Sequence, residues 1–330
     1  MSLRPVIQDT AAIFLNGIGR HLHRGQLRVL MFHGLTDCVH EGLENCQYKH
    51  LDLNRFESLV IHLAANYDVL SMDEVVECLQ TGASLPPFPL VITFDDGFDS
   101  NYKLAYPILK RYGLPAIIYL ATQFVDEKIP IWVDRVDYAM HRAGRSKQNL
   151  VAFKDHLKVR PHAEILAAVS LLEEETGHRL DRVDKPHIQA IYRALNWDQV
   201  REMAASDLIS FGSHTHSHLI MGRTSADVVR NELTESRAIV ERETGRPCHH
   251  FCYPNGSTGD FSEVSEQILR EMGFRSSITT LGGLNTLPVS PFLLRRLGMT
   301  NNLRPKQFEQ YLAVGDASLK GIFGRHLFAT

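Results

Sequence analysis

The chain has 330 residues, of which 44% are hydrophobic and 22% charged, a composition typical of a globular protein with a large buried core and a length that fits a single α/β barrel. Its 35 Lys and Arg residues nearly balance 38 Asp and Glu residues, so no overall field attracts nucleic acid, which is not an expected partner. The five scattered cysteines argue against a disulfide framework and favour a reducing compartment.

The first 27 residues precede the first predicted strand. Apolar residues between Ile7 and Leu22 recur at helical spacing, which predicts an amphipathic helix. Packing of this helix on its own domain is the favoured interpretation, and contact with a membrane surface or a partner is the alternative. The apolar stretch is broken by Asn16 and Gly17, unlike a secretion signal. We therefore expect a cytoplasmic protein, with membrane association through this helix left open.

Short apolar runs alternate with helical patterns over most of the chain. Strands are predicted at 28–34, 67–71, 90–94, 115–120, 207–212, 249–254, 275–279 and 293–299. Between about 125 and 200 the alternation lapses, and helical patterns there predict an insertion. The pattern predicts a parallel sheet closed into a barrel over 28–300, followed by a C-terminal helix near 305–313 and a tail that together occupy 301–330.

Two helix starts carry capping signals. Asn54 has Glu57 three residues later, and Ser71 has Glu74 at the matching position. A small polar residue followed by glutamate at this spacing is typical of a capping box. We expect helices to begin at both places.

Two adjacent carboxylates follow the strand at 90–94. Asp95 and Asp96 repel each other by roughly 1 kcal/mol even in water, and by more where solvent is excluded. A bound cation or a shared proton can offset that repulsion. An exposed Asp-Gly turn is the alternative. Because catalytic groups gather at the carboxyl ends of barrel strands, the position favours a functional site.

A histidine-rich stretch, "SHTHSH" (213–218), follows another predicted strand. His214 and His218 are four residues apart, so one helical turn would place both rings on one face. Two imidazoles and one carboxylate form a common ligand set for a catalytic divalent metal. His216 falls on the other side and is expected to be a neighbour. A polar surface loop rich in histidine is the alternative.

Three motifs, in order, resemble those of a known family. "TFDDG" (93–97), "SHTHSH" (213–218) and "FCYPNG" (251–256) are similar to the main motifs of polysaccharide deacetylases, carbohydrate esterase family four, also called the NodB homology domain. The similarity spans about residues 28 to 300 and is weakest near 140–195. It implies an irregular (β/α)7-type barrel that carries the helical insertion.

The resemblance also implies roles for individual residues. It assigns the metal to Asp96, His214 and His218, and the general base to Asp95. Zinc is the expected metal, and cobalt or nickel fits the same ligands. The turn at Tyr253, Pro254 and Asn255 is expected to contact substrate or stabilise the oxyanion through the backbone N–H of Tyr253 or a neighbour.

Two positions depart from the family pattern. The arginine that positions the catalytic aspartate in the better-studied branch is replaced by Cys252, and Arg296 is a candidate to supply the charge. The late histidine that protonates the leaving amine is not evident. His33, at the end of the first strand, is a candidate to replace it or to support the site.

The implied reaction is removal of N-acetyl groups from an amino-sugar glycan, either a polysaccharide or a lipid-linked oligosaccharide. Three other functions stay open from the sequence: an O-acetyl esterase, an amidase acting on a smaller amide, and a catalytically weak glycan-binding relative. Acetate release from N-acetylated and O-acetylated sugars separates these alternatives.

Overall fold

Parallel strands form the centre of this computed structural model, which describes residues 21–40, 43–45, 49–183, 185–301 and 305–314. In chain order the strands are β1 (Arg28–Phe32), β2 (Gly34–Thr36), β3 (His50–Asp52), β4 (Asp68–Val69), β5 (Pro89–Phe94), β6 (Ala116–Leu120), β7 (Ile209–Ser213), β8 (His250–Cys252), β9 (Ser276–Gly282) and β10 (Leu294–Gly298).

Seven of these strands close into a ring. The order is β1-β10-β9-β8-β7-β6-β5, and β5 pairs back onto β1, with every pairing parallel. Leu30 of β1 lies opposite Leu297 on one side and Ile92 on the other. The short β4 pairs with the start of β5, and β2 pairs with β3 in a separate small sheet. The predicted seven-stranded barrel is confirmed.

Helices surround the ring. They are α1 (Leu53–Asn66), α2 (Met72–Thr81), α3 (Tyr106–Tyr112), α4 (Thr122–Asp126), α5 (Trp132–Arg142), α6 (Lys147–Lys158), α7 (His162–Thr176), α8 (Pro186–Tyr192), α9 (Trp197–Ala204), α10 (Ala226–Thr244), α11 (Glu263–Glu271) and α12 (Pro305–Val314). A π-helical turn at Asn101–Ala105 precedes α3. Helices α4 to α8 lie between β6 and β7, where the sequence pattern predicts the insertion.

Alternation along the barrel strands separates two layers of core. All six residues of β5 are buried, as expected for a parallel strand covered on both faces. One cluster takes a side chain from each of six strands and therefore fills the interior of the ring: Val29, Val91, Ile117, Cys252, Ile278 and Leu294. Because strand side chains alternate, Asp95 and Arg296 continue this inward face beyond Val91 and Leu294.

The helix starts correct one prediction and confirm another. Helix α1 begins at Leu53, and the side chain of Asp52 accepts the N–H of Arg55 at 3.0 Å. The prediction of Asn54 as the cap is therefore wrong, because β3 leads into the helix directly and places Asp52 at its start. The capping box of Ser71 and Glu74 is confirmed.

Both ends of the chain are only partly described. The predicted N-terminal amphipathic helix lies outside the described residues up to position 20, and the tail after position 314 also lies outside them. Helix α12 confirms the helix predicted near 305–313. Within the described ranges, no helix has both the length and the apolar character needed to cross a membrane.

Candidate active site

The three predicted metal ligands converge at the carboxyl end of the barrel. Asp96 follows β5, and His214 and His218 follow β7. The Nε2 atoms of both histidines lie 3.5 Å from Asp96 Oδ1, and all three side chains are buried. One ligand atom from each residue lies within 4.8 Å of the other two. The carboxylate and the histidine pair are thus brought together, as the sequence predicts.

The histidine loop reaches this geometry without a helix. Residues 214–218 have no helical hydrogen bonding, and Thr215 and His218 have left-handed backbones, with φ of 61° and 58°. Glu232 of α10 accepts the N–H groups of His216 and Ser217, each at 2.9 Å. The predicted helical turn is therefore wrong. The left-handed backbones of Thr215 and His218 lie on either side of the pair anchored from α10, and they bring both rings to the same side.

A backbone carbonyl sets the orientation of His214. Its Nδ1 lies 2.7 Å from the carbonyl oxygen of Cys252. Since a carbonyl only accepts hydrogen bonds, Nδ1 carries the proton, and the Nε2 lone pair faces Asp96. This arrangement is the one found for histidines that bind metals.

The donor set fits a divalent cation. Asp96 Oδ1 is buried, faces two imidazole nitrogens and has no hydrogen-bond partner among the described residues. Buried carboxylate oxygens without a donor are rare in folded proteins. A cation held by Asp96, His214 and His218 would satisfy this oxygen and would keep open coordination positions.

Asp95 forms a bidentate ion pair with Arg296. Both contacts measure 2.8 Å, and both residues are almost fully buried. The guanidinium also donates to the carbonyl of Thr279 at 2.7 Å and lies 3.3 Å from Cys252 Sγ. The short side chain of Cys252 leaves room for a guanidinium arriving from β10. Arg296 thus occupies the place predicted for the missing arginine, and its catalytic importance stays a prediction.

The ion pair controls the charge of Asp95. Burial by itself would raise the pKa of this carboxyl, but the guanidinium of Arg296 outweighs burial and holds the pKa below its ordinary value. Asp95 also belongs to a second group of potential ligands, with His214 and Cys252. Because both carboxylate oxygens of Asp95 already accept from Arg296, the group centred on Asp96 is the better metal site.

Two residues that the sequence analysis missed complete the charge balance. Lys49 Nζ lies 2.8 Å from Asp96 Oδ2 and 2.9 Å from Asp134 Oδ1. Asp134 lies in the first turn of α5 and is 1% exposed. The lysine occupies the Oδ2 side of Asp96 and leaves Oδ1 toward the histidines. No sequence signal marks Asp134, because it lies about 200° around α5 from Trp132, outside the apolar stripe of Trp132, Val136 and Ala139.

Asp134 gives a pH-dependent prediction. Burial raises the pKa of Asp134 to about 6, against the opposing effect of Lys49. In the unfolded chain the pKa is about 3.9. The contribution of this group to stability is therefore complete below the unfolded value and is lost as pH rises through about 6. We expect Asp134→Asn to remove this part of the fall in unfolding free energy between about pH 4 and pH 6.

Urea unfolding of metal-free protein across this pH range measures the effect. The matched control is Asp137→Asn, because Asp137 lies on the same helix and is bound by Lys154 at 2.7 Å instead of Lys49. Identical pH dependence in wild type and Asp134→Asn would show that Asp134 titrates normally.

His33 is placed near the site, but its environment does not favour an acid. It follows β1, and its carbonyl accepts from Asn101 Nδ2 at 2.7 Å. Burial lowers the pKa of His33 to about 4 despite the nearby charges of Asp96 and Asp95. The ring is therefore neutral near pH 7. Its predicted role as proton donor stays a prediction.

The turn after β8 corrects one expectation. The N–H of Tyr253 donates to the carbonyl of Ile278 at 3.1 Å, and its ring stacks on Phe261 within the core. This N–H is already used in the sheet, so its prediction as an oxyanion donor is wrong. Pro254 has no N–H. Asn255 has a left-handed backbone, and its buried Nδ2 has no hydrogen-bond partner in the described ranges, so substrate contact by Asn255 stays a prediction.

His216 is a neighbour of the ligand group, as expected. Its Nδ1 contacts Thr122 Oγ1 at 2.9 Å, and its Nε2 faces Glu127 and Glu235 at 3.7 and 3.5 Å. The ring therefore turns away from Asp96 toward the acidic rim.

The family profile described as polysaccharide deacetylase matches residues 83–277, which include both aspartates and the histidine loop. The chain belongs to the polysaccharide deacetylase family. One relative is YxkH of Bacillus subtilis, which is named as a putative polysaccharide deacetylase. This family member is 21% identical to YxkH over 223 residues, which make up 68% of the chain. It is also 28% identical over 153 residues, 46% of this chain, to the poly-beta-1,6-N-acetyl-D-glucosamine N-deacetylase of Escherichia coli.

The matched regions are parts of longer relatives. They span 56% of YxkH and 16% of the Escherichia coli enzyme.

Solved structures show the same fold over most of this family member. The Streptococcus pyogenes deacetylase PplD superposes with a TM-score of 0.61 at 18% identity, covering 87% of this chain and 98% of PplD. IcaB from Ammonifex degensii superposes with a TM-score of 0.60 at 18% identity, covering 88% of this chain and 97% of IcaB.

Proposed function

We propose that the chain is a metal-dependent hydrolase that removes N-acetyl groups from an amino-sugar glycan. The observation that carries this proposal is the buried group of Asp96, His214 and His218, directly beside the Asp95–Arg296 pair. The Oδ1 atom of Asp96 faces both histidines and accepts no hydrogen bond from any residue that the structure describes. A metal site next to a separate ionised carboxylate has the parts that hydrolysis of an amide needs.

The two aspartates have separate tasks. Asp96 and the two histidines hold the cation, which lowers the pKa of water and polarises a carbonyl when it is bound. Zinc suits this nitrogen and oxygen ligand set best, and cobalt or nickel fits the same residues. Asp95 stays ionised beside Arg296 and takes a proton from the attacking water.

Asp95 can carry the one proton that the reaction must move from water to the amine nitrogen. Hydrolysis of an N-acetyl group consumes one water and forms a C–O bond as the C–N bond breaks. The proton that Asp95 takes from water is the one that the departing amine nitrogen requires, so the same carboxyl can return it. Arg296 supports this cycle because its guanidinium contacts both carboxylate oxygens of Asp95 and so holds the carboxylate in one orientation. Acetate and a free amino sugar result.

The linkage of the substrate is a finer part of the proposal. The Escherichia coli relative is named for poly-beta-1,6-N-acetyl-D-glucosamine, so β-1,6-linked N-acetylglucosamine oligomers are the first substrates to test. This choice rests on the similarity over 153 residues of this chain.

Acetate release tests the proposal. Metal-loaded protein is expected to release acetate from the N-acetylated oligomer, to lose this activity with a chelator, and to regain it when zinc is added. A parallel assay uses an O-acetylated oligosaccharide of matched length. Release from the O-acetylated sugar alone would identify an esterase instead, and binding without release from either sugar would identify a non-catalytic glycan-binding protein.

A further inference from the structure

Lys49 binds the proposed metal ligand Asp96 through a different oxygen from the one nearest the histidines. Its Nζ lies 2.8 Å from Asp96 Oδ2, whereas the Nε2 atoms of His214 and His218 lie 3.5 Å from Oδ1. The two oxygens of this carboxylate therefore have different partners. A carboxylate can bind a cation through one oxygen or through both. A lysine held on Oδ2 leaves Oδ1 alone for the metal.

Three contacts hold the lysine in place at this oxygen. The backbone carbonyl of Lys49 accepts the N–H of Gly34 at 3.4 Å, beside the small sheet of β2 and β3. Nζ lies 4.7 Å from the centre of the Phe98 ring and 2.9 Å from Asp134 Oδ1. The Lys49 side chain is 17% exposed, so an aromatic face and a second carboxylate stabilise a largely desolvated ammonium group. A lysine fixed at its backbone and at its charged end can orient the carboxylate that it binds.

The second carboxylate comes from the helical insertion, because Asp134 belongs to the first turn of α5. A lone lysine beside a metal ligand would repel a divalent cation. As an ion pair, Lys49 and Asp134 together carry no net charge. The insertion therefore supplies the group that allows a lysine to orient Asp96 without adding positive charge at the metal site.

We propose that Lys49, held by Asp134, is a positioning residue that keeps Asp96 bound to the metal through Oδ1 alone. The outer partners of metal ligands set the orientation of those ligands, and their loss typically lowers metal affinity or activity about 10- to 100-fold. The proposal rests on the proposed function, because it concerns the metal site of that function and gives the insertion a part in building it. Metal affinity and coordination number should both depend on the Lys49–Asp134 pair.

A second buried ion pair on the same helix provides a matched control. Lys154 Nζ lies 2.7 Å from Asp137 Oδ1, and the two side chains are 3% and 12% exposed. Asp137 lies on α5 with Asp134, and Lys154 lies on α6. Each pair buries a lysine and an aspartate against the same helix, and Lys49 is the lysine that contacts Asp96. A purely structural role therefore predicts the same effect from both pairs.

Two double variants test the role of the Lys49–Asp134 pair. One combines Lys49→Met with Asp134→Leu, and the other combines Lys154→Met with Asp137→Leu. Each replaces an ion pair by apolar side chains, so no lone charge remains buried. In competition with a chelator, the first double variant is expected to bind zinc about 10- to 100-fold more weakly than wild type. The second is expected to match wild type, and urea unfolding of the metal-free proteins checks that both are folded.

Two single variants separate the charge of the lysine from its orienting effect. Lys49→Arg keeps a cation that can donate to two carboxylates, so it should recover most of the zinc affinity that the apolar double variant loses. Asp134→Ala leaves Lys49 on Asp96 as an unpaired cation, so zinc affinity should fall although the orienting lysine is present. Wild-type zinc affinity in Asp134→Ala would show that the insertion carboxylate plays no part.

Cobalt reports on the number of metal ligands. The geometry of a transition-metal site reflects its ligand set, and the visible absorption of Co²⁺ weakens as its coordination number increases. Without Lys49 on Oδ2, both oxygens of Asp96 can bind the ion. At saturating cobalt, Lys49→Met with Asp134→Leu should therefore absorb less strongly in the visible range than wild type. An ion pair that only stabilised the fold would leave this spectrum unchanged.

The outcomes separate this role from the reaction. If wild type releases acetate but the Lys49–Asp134 double variant keeps wild-type zinc affinity and cobalt absorption, the positioning proposal falls and the proposed function stands. If both quantities change as expected but wild type releases no acetate from any acetylated sugar, the positioning proposal stands and the proposed function falls. Equal losses of zinc affinity in the two double variants would identify a general effect of insertion packing and would overturn the role of Lys49.

Discussion

Replacing His214 with alanine is expected to remove bound metal and turnover together. His214 faces Asp96 Oδ1 through Nε2, and its Nδ1 is fixed by the carbonyl of Cys252. Loss of a group that merely orients a ligand typically weakens metal affinity about 10- to 100-fold, so loss of the ligand itself should exceed that range. Metal analysis after dialysis should fall from about one ion per chain to near none.

His216→Ala is the matched control for this experiment. Its ring contacts Thr122 and the acidic rim and lies two residues away on the same loop. We expect this variant to keep its metal and most of its activity. If His214→Ala retained a full complement of metal, the ligand assignment would be incorrect.

Asp95→Asn is expected to keep the metal and to lose turnover by about 10²- to 10⁴-fold, the range contributed by a positioned general base. An asparagine cannot take the proton from water. Both oxygens of Asp95 bind Arg296 and not the histidines at hydrogen-bond distance, so metal content should stay near that of wild type. An empty metal site in Asp95→Asn would contradict the separate tasks of the two aspartates.

The same pair has a large effect on stability. Removing one partner of a buried ion pair typically costs about 3–5 kcal/mol, because the other charge is left buried and unpaired. Asp95→Asn and Arg296→Met should each show such a loss in urea unfolding. The double variant should be less destabilised than the sum of the two, since no lone charge remains. Strict additivity would mean that the two residues do not interact in solution.

The local patterns predict the barrel strands well, because burial and alternation are short-range properties. The run at 90–94 is apolar on both faces, which is typical of a central strand. Helix starts are less certain. Asn54 and Asp52 both suit a cap, and the choice depends on where β3 ends, which pairing with β2 determines.

The motifs likewise predict some features of the active site and miss others. The motifs predict that Asp96, His214 and His218 meet, but the spacing suggests a helical turn where the chain forms a loop with two left-handed residues. That loop depends on Glu232, which lies on another element. The meeting of Asp95 and Arg296 is foreseeable from the charge missing at Cys252.

Lys49 and Asp134 could not be assigned from the motifs. Each belongs to a segment without recognisable catalytic spacing, and they meet only because α5 of the insertion packs against the barrel end. Tyr253 illustrates the opposite error. Its motif suggests a free N–H at a strand end, whereas pairing with Ile278 extends the sheet by one residue and consumes that donor.

The Asp95–Arg296 pair joins an early strand to the last one. Asp95 follows β5, Arg296 lies on β10, and β1 sits between these two strands in the ring. Synthesis releases the amino-terminal part first, so the carboxylate leaves the ribosome long before its cationic partner. Until the final strand docks on the first, the proposed base is not held in place. The orientation of Asp95 is therefore fixed only when the ring is complete.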